Sequence, residues 1–224
     1  MLMELLDQNP VFACLDPEVR KQVGRCAISK VYPADHWIAH NGTNWPYLFI
    51  VADGTVQAIK ESPEGRSLIV TEINPGEIFW GISFFIPETP MPVALVAKSD
   101  VHLHLWALED LQPLIYRHGC LSWELTRLMI QKMQFASDML NEFVFQPTTG
   151  RLAKVLLEHY EDAVDEYVAR DMTLDEMAAR IGSTREMVCR HLYHFADQGA
   201  IHINRTEFKI SDHELLKTLA GKGK

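Results

Sequence analysis

The sequence predicts an α+β chain: an N-terminal antiparallel β-roll, then one long helix, then a smaller helical unit that ends in a hairpin. Three observations predict it. From Val31 to about Leu105, short apolar runs are broken by turn signals at Asn41-Gly42, Asp53-Gly54, Pro63-Glu64-Gly65, Asn74-Pro75-Gly76 and Pro87 to Pro92. From Leu108 to Phe143 the turn residues almost vanish and the apolar period lengthens. Beyond Thr173 two short helical patterns flank Gly182, and an alternating stretch follows.

Tyr47 to Val51, Thr55 to Ile59, Ser67 to Ile73 and Val93 to Ala97 are rich in the β-branched and aromatic residues that suit a pleated, half-buried surface. Val101 to Leu105 alternates strictly, with Val101, Leu103 and Leu105 on one face and His102 and His104 on the other. A roll or barrel is the economical way to pair so many short strands.

In the long helix Leu121, Leu125, Leu128, Lys132, Phe135 and Met139 follow 4-3-4-3-4 spacing. That stripe predicts a two-helix homodimer seam. Pro147 cannot continue the helical ladder and restricts the residue before it, so Gln146 to Gly150 is the expected boundary. The expected domains are 1–107 (roll), 108–146 (dimer helix) and 147–224.

Thr173-Leu-Asp-Glu176 is a capping-box pattern that starts a helix ending at Gly182, where a left-handed backbone costs no Cβ clash. Ser183-Thr184 then caps a second helix. Stepping about 100° per residue from Arg185, the residues Arg185, Cys189, Tyr193, Glu186, Asp197 and Arg190 fall on one arc. His191, Phe195, Val188 and Leu192 fall on the opposite one. Guanidinium makes a bidentate bond to guanine O6/N7 and carboxylate accepts from cytosine N4, so the polar arc has base-reading chemistry. A glycine turn between two capped helices is the helix-turn-helix arrangement. Ala200 to Ile210 turns at Asn204 to Thr206 and reads as a wing whose Arg205 reaches phosphate.

The total formal charge of −9 does not exclude nucleic acid, because affinity comes from a local basic surface. Residues 151–224 carry eleven Lys and Arg against thirteen Asp and Glu, a net of −2, so most of the acid lies before them. No apolar run approaches the ~18 residues of a membrane span, and the first ten residues do not resemble a signal peptide. A soluble protein of the cytoplasm, away from membranes, is therefore expected. Four scattered cysteines show no zinc spacing, so no metal is expected.

At Gly182-Ser-Thr-Arg-Glu-Met-Val-Cys-Arg190 the chain resembles the cyclic-AMP receptor protein and FNR family. The likeness extends over nearly the whole chain: the strands ending Asn74-Pro-Gly-Glu77, the long helix, Thr149-Gly150-Arg151-Leu152 and the winged unit. The resemblance implies a jelly roll like that of cyclic-nucleotide-binding domains. It also implies a homodimer on palindromic double-stranded DNA, with RNA polymerase as a further partner. Arg185, Glu186 and Arg190 match the family's base-contacting positions. Thr173, Ser183, Thr184, Tyr193 and Arg205 complete the expected DNA-binding set.

Two departures concern the reading helix, His191 on the inward face and Met187 on the DNA side. The effector site departs further. Aligned without gaps, Gly81 stands where nucleotide-binding members have the ribose glutamate, and Met91-Pro92 where they have Arg-Ser for the phosphate. A buried phosphate without either arginine or a donor at Pro92 loses several kcal/mol. No cyclic-nucleotide binding is therefore expected. The pocket becomes apolar, with Trp80, Gly81, Ile82, Phe84, Phe85, Met91 and Pro92. It is either filled by its own side chains or takes a hydrophobic ligand. Haem on His36, His40, His102 or His104 is a further alternative to having no cofactor, whereas the thiols are too few near the N-terminus for an iron–sulfur cluster.

No nucleophile with its base, phosphate loop or metal cluster emerges, so an enzyme is not expected. The remaining alternative is an interaction module whose helix-turn-helix only packs. Steep salt dependence of binding to duplex DNA separates the two.

Overall fold

The computed structural model describes residues 2–63, 65–164 and 166–221, Asp162 by its backbone alone. Met1, Glu64 of the expected turn, Asp165 and residues 222–224 lie outside them. The chain divides into two compact units, one running up to Lys60 and over Ile69–Gln134, the other comprising Glu61–Leu68 and Phe135–Lys224.

The first unit opens with three helices that the turn-and-run reading did not foresee: α1 (Leu2–Gln8), α2 (Pro10–Ala13) and α3 (Pro17–Cys26). Asn9 and Asp16 precede Pro10 and Pro17, and proline at the first helical position is pre-organised for a helix start. Asn9 Oδ1 accepts from the Val11 amide at 3.0 Å.

Eight strands follow: β1 (Ile28–Tyr32), β2 (Trp37–Ala39), β3 (Tyr47–Asp53), β4 (Val56–Glu61), β5 (Ser67–Ile73), β6 (Ile78–Trp80), β7 (Ala94–Ala97) and β8 (Val101–Ala107). They form two four-stranded sheets, ordered β1-β8-β3-β6 and β2-β7-β4-β5. The alternation along β3 and β8 builds two cores. Phe49, Val51, Val101, Leu103 and Leu105 pack with Val56, Ala58, Leu95 and Ala97. Leu48, Ile50 and Trp106 face the other way, against Leu6, Phe12 and Val23 of the helical layer. Trp106 Nε1 donates to the Val23 carbonyl at 2.9 Å, so the indole is both buried and satisfied.

The expected single long helix is two: α4 (Leu108–Arg117) and α5 (Gly119–Phe145). His118 between them is extended, φ −114° and ψ 95°. The missed signal was His118-Gly119, since glycine weakens a helix interior.

The second unit continues with α6 (Thr148–His159), β9 (Val168–Ala169), α7 (Leu174–Ile181), α8 (Arg185–Asp197), β10 (Ile201–Ile203), β11 (Glu207–Ile210) and α9 (His213–Gly221). Strand β9, two residues long, adds to the foreseen hairpin and gives the sheet order β10-β11-β9. Leu152, Leu156, Met177, Ile181, Val188, Leu192, Phe195, Phe208 and Leu216 form one core.

Candidate nucleic-acid interface

Local chemistry fixes the two helices of the reading unit. Thr173 Oγ1 accepts from the Glu176 amide at 3.1 Å and starts α7. Gly182 ends it in the left-handed region, φ 59° and ψ 46°. A Cβ there would also lie 2.5 Å from the Phe143 ring, so both backbone and space require glycine. Thr184, rather than Ser183, caps α8, accepting from the Met187 amide at 3.3 Å. Ser183 instead donates its amide to the Ala178 carbonyl.

The apolar arc of α8 is buried through Val188, His191, Leu192 and Phe195. His191 finds the polar partners its position demands: Nε2 lies 3.0 Å from Thr148 Oγ1 and Nδ1 3.2 Å from Thr149 Oγ1. Burial, then the charges of His194 and Arg190, hold its pKa below the ordinary histidine value. A neutral ring with one N–H and one lone pair suits two hydroxyls, each able to give or take a proton.

The opposite arc is open. Arg185, Glu186, Arg190 and Tyr193 are exposed. Arg190 Nη2 pairs with Glu186 Oε1 at 3.1 Å, and Arg185 Nη1 with Asp175 Oδ2 at 3.4 Å. A cleft of about 410 Å³ joins Arg185 to Thr173, Arg170 and Arg205. An adjoining one of about 340 Å³ brings Tyr193, Cys189 and Leu192 beside Arg170 and Arg205. Arg170 was missed by sequence reasoning, because a lone arginine in an acidic connection gives no sign of where the chain returns. Its amide bonds to the Thr206 carbonyl at 2.8 Å and so ties the approach of α7 to the wing.

Arg151 was quoted only as part of a motif, yet it is a structural centre of this unit. The residue is 7% exposed. Nε and Nη2 donate to the Ile181 carbonyl at 3.1 and 2.9 Å, and Nη1 to the Gln146 and Phe143 carbonyls at 2.7 and 3.3 Å. Its guanidinium lies 4.5 Å from the Phe143 ring centre. One cation thus satisfies the carbonyl ends of α5 and α7 together, where helix termini leave acceptors unpaired.

Of the expected seam residues, Leu121 and Leu125 require correction: both are buried in the core of the first unit. Leu128 packs partly against that core, Lys132 and Met139 are half-buried, and Phe135 is exposed. A different face of α5 is open, and it carries Trp123, Ile130, Met133, Leu140 and Val144, each 47% exposed or more. Their spacing, with Thr126 and Ser137 between, is also heptad-like.

In the effector region Phe84 and Met91 are buried, Trp80, Ile82 and Phe85 are half-buried, and Pro92 is exposed. The backbone of Trp45 occupies the space beside Gly81: a Cβ at Gly81 would meet the Trp45 carbonyl oxygen at 1.8 Å and Met91 Sδ at 3.2 Å. Bonds from the Gly42 amide to the Met91 carbonyl and from the Met91 amide to the Thr43 carbonyl hold that loop down. His102 and His104 lie ring to ring, with centroids 4.7 Å apart. His36 stacks on Tyr32 and His40 on Trp37. His102 Nε2 bonds to Ser29 Oγ at 2.6 Å. His104 is buried, not solvated, and neither ring nitrogen has a hydrogen-bond partner among the described residues. Among the described residues no group of three or more His, Cys, Asp or Glu side chains is placed to hold a metal, and no helix is long and apolar enough to cross a membrane.

Residues 150–219 match the Crp-like helix-turn-helix domain and residues 29–118 the cyclic nucleotide-binding domain. This chain belongs to the cyclic-AMP receptor protein/FNR family. It is a DNA-binding transcription regulator and not an enzyme. The CRP-like cAMP-activated global transcriptional regulator of Mycobacterium tuberculosis is 25% identical, with 95% of this chain and 97% of that protein covered. The cyclic AMP receptor protein of Thermus thermophilus is also 25% identical, over the same shares. The fold matches that of a crp/fnr-family regulator from Eubacterium rectale with a TM-score of 0.81 at 20% identity, covering 95% of this chain and 98% of that one.

Proposed function

We propose that two copies of this chain join along the open face of α5 and read a palindromic DNA site without a cyclic nucleotide. One observation carries the reading: α8 is held by a buried apolar face while Arg185, Glu186 and Arg190 stand exposed opposite it. Arg185 and Arg190 suit guanine, Glu186 suits the cytosine opposite, and Arg170, Arg205 and the Thr173 end of α7 suit phosphate. The present partners of the two arginines are exposed ion pairs, worth about 0–1 kcal/mol each, so exchanging them for base edges costs little. RNA polymerase is the further partner that this reading implies.

The apolar positions on the open face of α5 give a second subunit something to cover. Half-sites then lie about one helical turn, ~34 Å, apart, and resemblance suggests a half-site like TGTGA. At the effector site Gly81 faces the Trp45 carbonyl oxygen, an acceptor, and the ring of Pro92 supplies no charge and no donor for a phosphate. The reading requires no haem or other cofactor.

Selection from random duplexes tests it. Wild type should enrich a palindrome, and Arg185→Ala and Arg190→Ala should each weaken the preferred site roughly 5- to 150-fold and relax one base pair. Mutants that enrich the same site equally well would refute the assignment. Sedimentation should show Ile130→Glu as monomer, and calorimetry should find cyclic AMP and cyclic GMP no tighter than millimolar. Micromolar binding that raises DNA affinity would return the chain to nucleotide control.

A further inference from the structure

Cys14 and Cys120 lie 106 residues apart in sequence and meet in the first unit. Cys14 follows α2 as its C-terminal cap, and Cys120 sits in the first turn of α5. Cys120 Sγ is 3.3 Å from the Cys14 carbonyl oxygen, and the two thiols also interact side chain to side chain. Both residues are exposed, whereas Cys26 and Cys189 are partly buried. We propose that Cys14 and Cys120 form a reversible dithiol–disulfide site, oxidised within one chain by a peroxide or a small-molecule disulfide.

The environment orders the two sulfurs. Partial desolvation, the side-chain interaction with Cys120 and the charges of Cys120 and Glu124 push the Cys14 thiol up to about 12. Cys14 is therefore held protonated, and Cys120 is the sulfur that attacks first. With peroxide, the Cys120 sulfur takes one oxygen, the O–O bond breaks, and hydroxide leaves to become water. The product is a sulfenic acid. Cys14 Sγ then attacks Cys120 Sγ, the S–O bond breaks, and the departing hydroxide leaves as water with the Cys14 proton. Two thiols and one peroxide give one disulfide and two waters. With a small-molecule disulfide, Cys120 forms the mixed disulfide and Cys14 displaces the second thiol. A dithiol reductant reverses either product.

The bond would close a loop of about a hundred residues, for which the constraint on the unfolded chain is large. It would also staple the short helix α2 to the start of α5, one turn before the exposed Trp123.

The test oxidises the full-length protein with hydrogen peroxide or oxidised glutathione, then maps peptides with and without reduction. A Cys14–Cys120 peptide should appear in wild type and in the Cys26→Ser/Cys189→Ser double variant. Oxidation should raise the unfolding temperature by roughly 5–10 °C, reversibly. Cys14→Ser and Cys120→Ser should each lose the peptide and the shift while unfolding like reduced wild type. Cross-links between chains, separate sulfinic acids at the two positions, or no reaction at either would each overturn the proposal.

Discussion

The reading unit and the roll keep the family's architecture to different depths. In the reading unit the apolar face of α8 is buried, its other face is open, and the inward-facing His191 is matched by two threonine hydroxyls. In the roll the strands and their two cores are in place, whereas on the proposed reading Gly81, Met91 and Pro92 stand at the positions that would hold a nucleotide. The packing that makes a fold and the few polar groups that make a ligand site are separate demands on a sequence. One can be kept while the other is lost.

The largest expected effect falls in the reading unit, at Arg151. Arg151→Leu removes a cation that serves the Ile181, Gln146 and Phe143 carbonyls. Leaving buried acceptors unpaired should cost about 3–5 kcal/mol, followed by urea denaturation with circular dichroism. DNA binding should fall with it. A smaller effect would mean that the α5 and α7 ends do not depend on a shared cation.

Gly81→Glu, which on the resemblance places a ribose-binding glutamate, should break the roll instead. The new side chain must displace the Trp45 backbone, at an expected cost of about 3 kcal/mol. All five tryptophans lie in residues 37–123, so their fluorescence follows the first unit alone. Tolerance of glutamate, with gain of cyclic-AMP binding, would show that the loop at Trp45 yields and that the pocket is only latent.

The smallest effect compares two buried histidines, one in each unit. Burial lowers the pKa of both His104 and His191. A depressed folded pKa favours the neutral ring, so its stability is full above the unfolded value of about 6.5 and lost as pH falls through the folded one. Both units should therefore weaken on acidification. His104→Leu removes two ring nitrogens without partners among the described residues and should stabilise the roll by about 1 kcal/mol while flattening its acid limb. His191→Leu should flatten the limb but gain nothing, because Thr148 and Thr149 lose their partner. Equal gains at the two sites would show that the threonine bonds contribute nothing to stability.

Much of this was legible. Turn residues marked the strands, and the caps at Thr173 and Thr184 with Gly182 between them marked the helix-turn-helix, because these signals act over a few residues. The α5 face was not legible, for a physical reason. Leu121-Leu125-Leu128 and Trp123-Ile130-Met133 both satisfy a helical repeat, and only the packed roll shows which stripe it covers. The first helices were overlooked although Asn9-Pro10 and Asp16-Pro17 announced their starts. Arg170 and the Cys14–Cys120 meeting depend on contacts across the chain, which no local pattern encodes.

The open face of α5 also bears on how such a regulator can be governed. A protein that pairs along that face, as proposed above, before it grips both half-sites occupies its operator in proportion to the square of its own concentration while monomers predominate and the operator is far from saturated. Doubling its synthesis then raises occupancy about fourfold. On the reading proposed above, which needs no small molecule, the number of copies in the cell becomes the message, and the apolar stripe through Ile130 and Met133 sets the threshold at which it is heard.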